Sequence, residues 1–250
     1  MIKLKNKEQI EGIRKSGALL ARLFQNIQDR IKPGISLISL DQWAYDFILA
    51  GGGQPAFKGY MGFPATLCTS LNHAVIHGIP DRTKLQEGDL ISVDCGINLG
   101  GYISDMAYTF PVGRISEENE KLLKITNEAL YKGIGAVQKG KRIKDISKAI
   151  SDHITPGGYG IVHQYCGHGV GLEVHEEPQV PNYLGPGPNP RLKPGMVIAI
   201  EPMVNLGVAE VDVLEDDWTV VTRDGKRSAH FEHTVAVTEN GIEILTQGFN

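Results

Sequence analysis

Four carboxylates interrupt segments that otherwise read as buried strand. Asp94 lies inside Leu90-Ile91-Ser92-Val93-Asp94-Cys95-Gly96, and Glu201 ends Met196-Val197-Ile198-Ala199-Ile200. Glu232 opens the β-branched run His233-Thr234-Val235-Ala236-Val237, and Asp105 falls in the strand-like segment that follows Asp94. A bare carboxylate in such a context is costly unless a partner or a metal compensates it. With a turn centred on Leu99-Gly100, antiparallel pairing sets Ile97 opposite Tyr102 and Asp94 opposite Asp105. Directly opposed residues share a face, with Cβ atoms about 4.5–5.5 Å apart. Two like charges that close need a cation or a shared proton. Oxygen ligation of a divalent metal is the direct remedy. For this pair alone, a turn-capping aspartate in another register is an equal alternative. Four interruptions of one kind argue for a common cause.

Histidines supply the remaining chemistry. His168 sits in Cys166-Gly167-His168-Gly169-Val170-Gly171, where the flanking glycines allow close approach of backbone or ligand. The same stretch partly matches a phosphate-binding loop, but no helical pattern follows it. His175-Glu176-Glu177-Pro178 lacks the HExxH spacing, and Pro178 would break such a helix. His77, in Ile76-His77-Gly78-Ile79-Pro80, is a candidate for substrate contact. His73, His153, His163 and His230 read as surface or packing residues.

The elements that must position these groups follow from periodicity. Ile10, Ile13, Gly17, Leu20, Phe24, Ile27 and Ile31 form one face of a long helix, with Asn6 and Gln9 as its capping box and Pro33-Gly34 after its end. A second helix is expected over 39–50, stopped by Gly51-Gly52-Gly53. Ser116 caps a third helix to about 138, and a fourth covers 143–153. Strands are expected at 66–70, 90–97, 102–110, 161–167, 170–174, 196–204, 208–214, 217–222 and 231–238. Gly185-Pro186-Gly187-Pro188-Asn189-Pro190 reads as a loop. A weak internal repeat relates the halves: Leu85, Gly88, Ile91, Val93 and Asp94 match Leu192, Gly195, Ile198, Ile200 and Glu201. Two such halves make one pseudo-symmetric α+β domain whose axis brings Asp94 and Glu201 together.

Composition excludes several function classes. The 250 residues carry 25 Lys+Arg against 29 Asp+Glu, a net charge of −4, which disfavours nucleic acid or anionic lipid as the main partner. No apolar run approaches the roughly 18 residues that span a membrane. Cys68, Cys95 and Cys166 form no CxxC pair, so neither a zinc ribbon nor a disulfide scaffold is indicated, and a reducing cytoplasm is expected.

Taken in order, His77-Gly78-Ile79-Pro80, Val93-Asp94-Cys95-Gly96, Tyr102-Ile103-Ser104-Asp105, Gly167-His168-Gly169-Val170-Gly171, His175-Glu176-Glu177-Pro178, Ile200-Glu201-Pro202 and Phe231-Glu232-His233-Thr234 resemble the motif set of the type I methionine aminopeptidases. The resemblance spans nearly the whole chain and is specific as a set. It implies the "pita-bread" fold, a pseudo-two-fold α+β domain with antiparallel sheet and outer helices, over residues 1–250. It implies five metal ligands: Asp94, Asp105, His168, Glu201 and Glu232. Asp105 and Glu232 would bridge two divalent ions, with Asp94 on one and His168 and Glu201 on the other. Such an oxygen-rich set suits manganese, iron or cobalt, with zinc admissible.

The implied reaction is removal of the initiator methionine from nascent proteins when the second residue is small, a water between the two ions attacking the first peptide bond. Glu201 would carry the proton, His175 would help polarise the carbonyl, and His77 would lie near the scissile nitrogen. Phe57, Tyr60, Phe63, Cys68 and Trp218 align with the family's methionine pocket; ordinary core packing is their alternative. Val174 stands where many members carry an aromatic, which changes the pocket's shape. The absence of a leading zinc-finger segment and of the type II insertion resembles the short bacterial or organellar form. A monomer with transient ribosome contact is expected. Two rivals share the fold. A proline-specific peptidase is expected to carry a further N-terminal domain, and a non-catalytic binding module is expected to have lost metal ligands.

Overall fold

A computed structural model describes residues 1–248. The first half runs α1 (Lys7–Gln28), α2 (Leu37–Ala50), β1 (Gln54–Pro55), β2 (Cys68–Leu71), β3 (Ala74–Ile76), β4 (Leu90–Leu99) and β5 (Tyr102–Pro111). The second half opens with α3 (Glu117–Gly135), α4 (Ile143–Ile154), β6 (Gly160–Ile161), β7 (Gly167–Gly169) and β8 (Glu176–Val180). It continues with β9 (Val197–Ile200), β10 (Met203–Asn205), β11 (Val211–Val213), β12 (Val220–Thr222), β13 (Ser228–His230), β14 (His233–Thr238) and β15 (Gly241–Ile244). Every strand pair is antiparallel.

The helices start as their sequences direct. Asn6 and Gln9 exchange side-chain–backbone bonds of 2.9 Å at the head of α1, and Ser116 accepts from the Asn119 N–H at the head of α3. Helix α1 ends at Gln28, before the last apolar position of its stripe, because residues 29–34 turn toward the following helix.

Hairpin β4–β5 corrects one expectation. Its turn is Gly100-Gly101, both at positive φ (62° and 89°), and Asn98 accepts from the Gly101 N–H. Two such residues make the tight turn whose twist suits a hairpin. Leu99 therefore faces Tyr102, Asp94 faces Ala107, and Asp105 faces Gly96. Asp94 and Asp105 are diagonal neighbours rather than direct partners. The displacement is two residues, so both side chains stay on the expected face.

Other differences have local causes. Pro202 cannot donate to a ladder, so the expected strand at 196–204 is split into β9 and β10, which belong to different sheets, and Glu201 sits at the corner. Of the expected strand at 161–167 only its ends are extended, in β6 and β7, and the strand expected at 170–174 is absent, that segment turning instead. Strand β8 was hidden by Pro178; it is an edge strand, where proline is tolerated.

Two cores flank a seam. One packs α1 and α2 on β4 and β5 through Leu20, Phe24, Ile48, Ile91 and Ile97; the other packs α3 and α4 through Leu122, Ile146, Ile150, Ile198 and Val235. Between them lies a third cluster drawn from both halves, including Phe57, Phe63, Cys68, Val174, Val197 and Ala236. Five hydrogen bonds join the halves here. The Glu232 N–H donates to the Ala107 carbonyl at 2.8 Å. The Thr234 hydroxyl accepts from the Asp105 N–H and donates to the Asp105 carbonyl. The Thr109 hydroxyl does the same for His230. Each step of two down β5 matches a step of two up 230–234. The result is an antiparallel ladder in which two threonine hydroxyls stand in for backbone groups.

Candidate metal centre

That ladder lays Asp105 beside Glu232. Strand β4 supplies Asp94, β7 supplies His168, and the β9–β10 corner supplies Glu201. All five line one cavity of about 260 Å³ together with His77, His175, Phe57, Tyr60, Met61, Phe63, Cys68 and Trp218. Every residue singled out from the sequence as ligand, catalytic group or pocket wall thus faces one space; Met61, at its rim, was not anticipated.

The centre is short of compensation. Asp94 Oδ1, Asp105 Oδ1 and Glu232 Oε1 are buried and meet no hydrogen-bond partner among the described residues. Burial pushes the carboxyls of Asp94 and Glu201 up to about 7 and about 8. Asp105 and Glu232 are also raised well above the carboxylate range, by burial and then by the neighbouring acids. One ligand atom each from Asp105, His168 and Glu232 lies within 4.8 Å of the others.

The His168 ring sharpens the point. Its Nδ1 lies 2.9 Å from the Gly169 carbonyl, which can only accept, so the proton resides on Nδ1. The Nε2 lone pair then faces Glu201 Oε1 at 3.6 Å and Asp105 Oδ2 at 3.9 Å. Burial holds the ring neutral, its pKa down at about 3. A lone pair aimed at a cluster of buried carboxyl groups is a donor set that a divalent cation can gather, displacing the protons the acids hold. The residues fit a divalent metal.

Neighbouring groups are held as firmly. His77 adopts a left-handed backbone (φ 59°), and Gly78 packs so closely on the Thr69 carbonyl that a Cβ would lie 2.3 Å from its oxygen. The Thr69 N–H donates to the Gly78 carbonyl at 2.7 Å. Burial lowers the His77 pKa to about 4, so its ring is neutral at pH 7. His175 Nδ1 lies 3.1 Å from the Tyr60 hydroxyl, and its ring lies 4.2 Å from that of His168. The loop carrying His175 is tied down by Glu176, which accepts from the Leu172 N–H and from Lys5 Nζ at 2.7 Å. Both charged side chains of that ion pair are buried, at 1% and 2% exposure. Asp41, on α2, accepts from the N–H groups of Thr66 and Leu67 and so fixes the approach to Cys68. On the apolar side Phe63 meets Trp218 edge-on at 5.1 Å. Val174, in place of an aromatic, is buried in the same cluster as Phe57.

His230, read from the sequence as a surface or packing residue, is of the packed kind at 1% exposure; what was not anticipated is its Nε2 lying 3.3 Å from Glu201 Oε2. Its position two residues before Glu232 was the available signal, since alternate residues of an extended segment share a face.

Comparison with known proteins agrees with this geometry. The family model for metallopeptidase family M24 matches residues 11–239. The chain belongs to metallopeptidase family M24. Within M24 it is similar to a methionine aminopeptidase of Borreliella burgdorferi, 52% identical over 98% of both chains. The crystal structure of methionine aminopeptidase from Thermotoga maritima superposes with a TM-score of 0.96 at 41% identity, covering 99% of this chain and all of that one. A prolidase from Pyrococcus furiosus shares the fold at a TM-score of 0.80 and 26% identity, but this M24 chain spans only 66% of its length. The pita-bread fold and the membership expected from the motif set are borne out. No helix among the described residues is long and apolar enough to cross a membrane.

Proposed function

We propose that this M24 chain, acting as one catalytic unit, removes the N-terminal methionine from new polypeptides whose second residue is small. The observation that carries the reading is a single cavity with an uncompensated carboxylate–imidazole wall on one side and an aromatic, thiol-bearing wall on the other. Two divalent cations, manganese, iron or cobalt with zinc admissible, would be held by Asp94, Asp105, His168, Glu201 and Glu232. When bound, the cations supply Lewis acidity, making water a nucleophile near neutral pH and polarising the scissile carbonyl.

The chain's own groups do the rest. Glu201 Oε1 faces the centre, takes the proton of the attacking water and returns it to the leaving amine. With the Tyr60 hydroxyl, 3.1 Å away, as the donor to His175 Nδ1, the ring proton lies on Nε2 and would hydrogen-bond the carbonyl oxygen as negative charge develops. Neutral His77, fixed by its backbone, bonds the scissile amide. Phe57, Tyr60, Phe63, Cys68 and Trp218 enclose the methionine side chain, whose thioether favours aromatic contact. Burial raises the Cys68 thiol pKa well above its usual value, so the group stays an uncharged wall. Three free cysteines accord with action in a reducing cytoplasm. We extend the reading to a monomer that meets the ribosome transiently.

The test is hydrolysis of Met-Ala-Ser against Xaa-Pro dipeptides by apo protein reloaded with each metal. Metal-dependent release of methionine alone is expected. Cleavage before proline would instead make the chain a prolidase, and cleavage of neither would sink the reading.

A further inference from the structure

We propose that His230 is a positioning residue for Glu201, an inference that rests on the reading of the site given above. Its imidazole is 1% exposed, and neither ring nitrogen meets a hydrogen-bond partner among the described residues. A neutral imidazole carries a proton on one nitrogen. A buried N–H with no acceptor bears its full desolvation penalty, so the proton settles where an acceptor is nearest. Nε2 lies 3.3 Å from Glu201 Oε2, and Glu201 is the one carboxylate within 4.0 Å of the ring nitrogens among the described residues, while Asp94 bears on the ring by charge from farther off.

Glu201 thereby stands between two histidines of opposite character. Nδ1 of His168 is occupied by the Gly169 carbonyl, so His168 presents a lone pair to Oε1. His230 presents a proton to Oε2. The two oxygens become inequivalent: Oε2 is anchored, and Oε1 is left for the centre and for proton transfer. The anchor is itself rigid. The Thr109 hydroxyl bonds both the N–H and the carbonyl of His230 at 2.8 Å, and the residue pairs with Met203 of β10. Strand β10 begins two residues after Glu201, so the acceptor lies at the corner that leads into the strand paired with the donor's.

Three variants of the full chain separate this role from packing. H230L removes the donor at similar bulk. H230Q places an amide N–H at nearly the reach of Nε2. H230N keeps a polar amide one bond too short. Metal-reconstituted proteins are compared by kcat and KM on Met-Ala-Ser, and apo proteins by calorimetric Mn²⁺ affinity and the visible spectrum of Co²⁺. H230L and H230N are expected to lower kcat or Mn²⁺ affinity roughly ten- to a hundredfold and to shift the Co²⁺ spectrum, with KM nearly constant. H230Q is expected to recover most of each. In a Glu201→Gln background, H230L should add little, because its effect passes through the Glu201 carboxylate.

The inference is overturned if H230L matches the parent in all readouts, if H230Q loses as much as H230L while unfolding at the parent temperature, or if H230L adds its full effect to Glu201→Gln. Should H230L fail to fold, the comparison of H230Q with H230N decides, and equal behaviour of the two overturns the proposal. A parent chain that binds no divalent ion would instead overturn the reading of the site.

Discussion

Glu201 and its acidic neighbours hold protons that a metal must displace. Burial sets Asp94 at about 7 and Glu201 at about 8, with Asp105 and Glu232 also raised. Loading Mn²⁺ at pH 7 should therefore release at least about one proton per chain, read by calorimetry in buffers of different ionisation enthalpy. Stability carries the same sign. A carboxyl raised on folding favours the native state below its unfolded pKa and loses that contribution as pH rises through its folded value. The buried histidines, lowered to about 4 for His77 and about 3 for His168, act below pH 6.5 in the opposite direction. Between pH 6.5 and 8.5 the carboxyls alone decide, so the denaturant midpoint of apo protein should fall over that range while metal-loaded protein holds level. Glu201→Gln should cut kcat by about 10²–10⁴-fold, with metal content measured alongside; near-normal turnover would remove Glu201 as proton carrier. The carboxylates were legible because each breaks an apolar run. His230 was not, because Ser228-Ala229-His230 is too short a strand to show a period.

Elements were legible where one chain segment dictates its own partner. Helix α1 announced its stripe and its cap, and Asn6→Ala should cost about 1 kcal/mol through loss of the capping box, visible as a lower denaturation midpoint. The β4–β5 register was misjudged by two residues, yet the side-chain period of two left the acidic face intact, so the chemical inference survived. Strands β1, β3 and β13 escaped notice because they are two or three residues long with remote partners; β8 is broken by Pro178, and β15 is a four-residue edge strand although its partner β14 is adjacent. Close packing of elements makes Gly17 a sensitive point. A Cβ there would lie 2.1 Å from the Leu245 carbonyl oxygen, a backbone atom that cannot swing aside. Alanine gains about 1 kcal/mol of helix propensity, but overpacking of this kind costs about 1–3 kcal/mol or more. Gly17→Ala should therefore lower the unfolding temperature despite the better helix former.

At the scale of the whole molecule, the N-terminal segment ties into the second half through the buried Lys5–Glu176 pair. Removing one partner strands a charge, so Lys5→Met or Glu176→Leu alone should destabilise by about 3–5 kcal/mol, while the double replacement recovers much of the loss. Thermal unfolding of the three variants checks this. The pair also holds the loop bearing His175, so single replacements should lower kcat on Met-Ala-Ser beyond their effect on stability.

The threonine-stitched ladder between β5 and residues 230–234 bears on timing during synthesis. Asp94 and Asp105 emerge with a core of their own to fold on, but Glu232 emerges well over a hundred residues later. The Leu245 N–H that closes on the Thr234 carbonyl emerges later still. A growing chain therefore carries half a metal cradle and no peptidase. Hydrolytic competence arrives as a single late event, when the last strands dock and the divided acidic cluster becomes one.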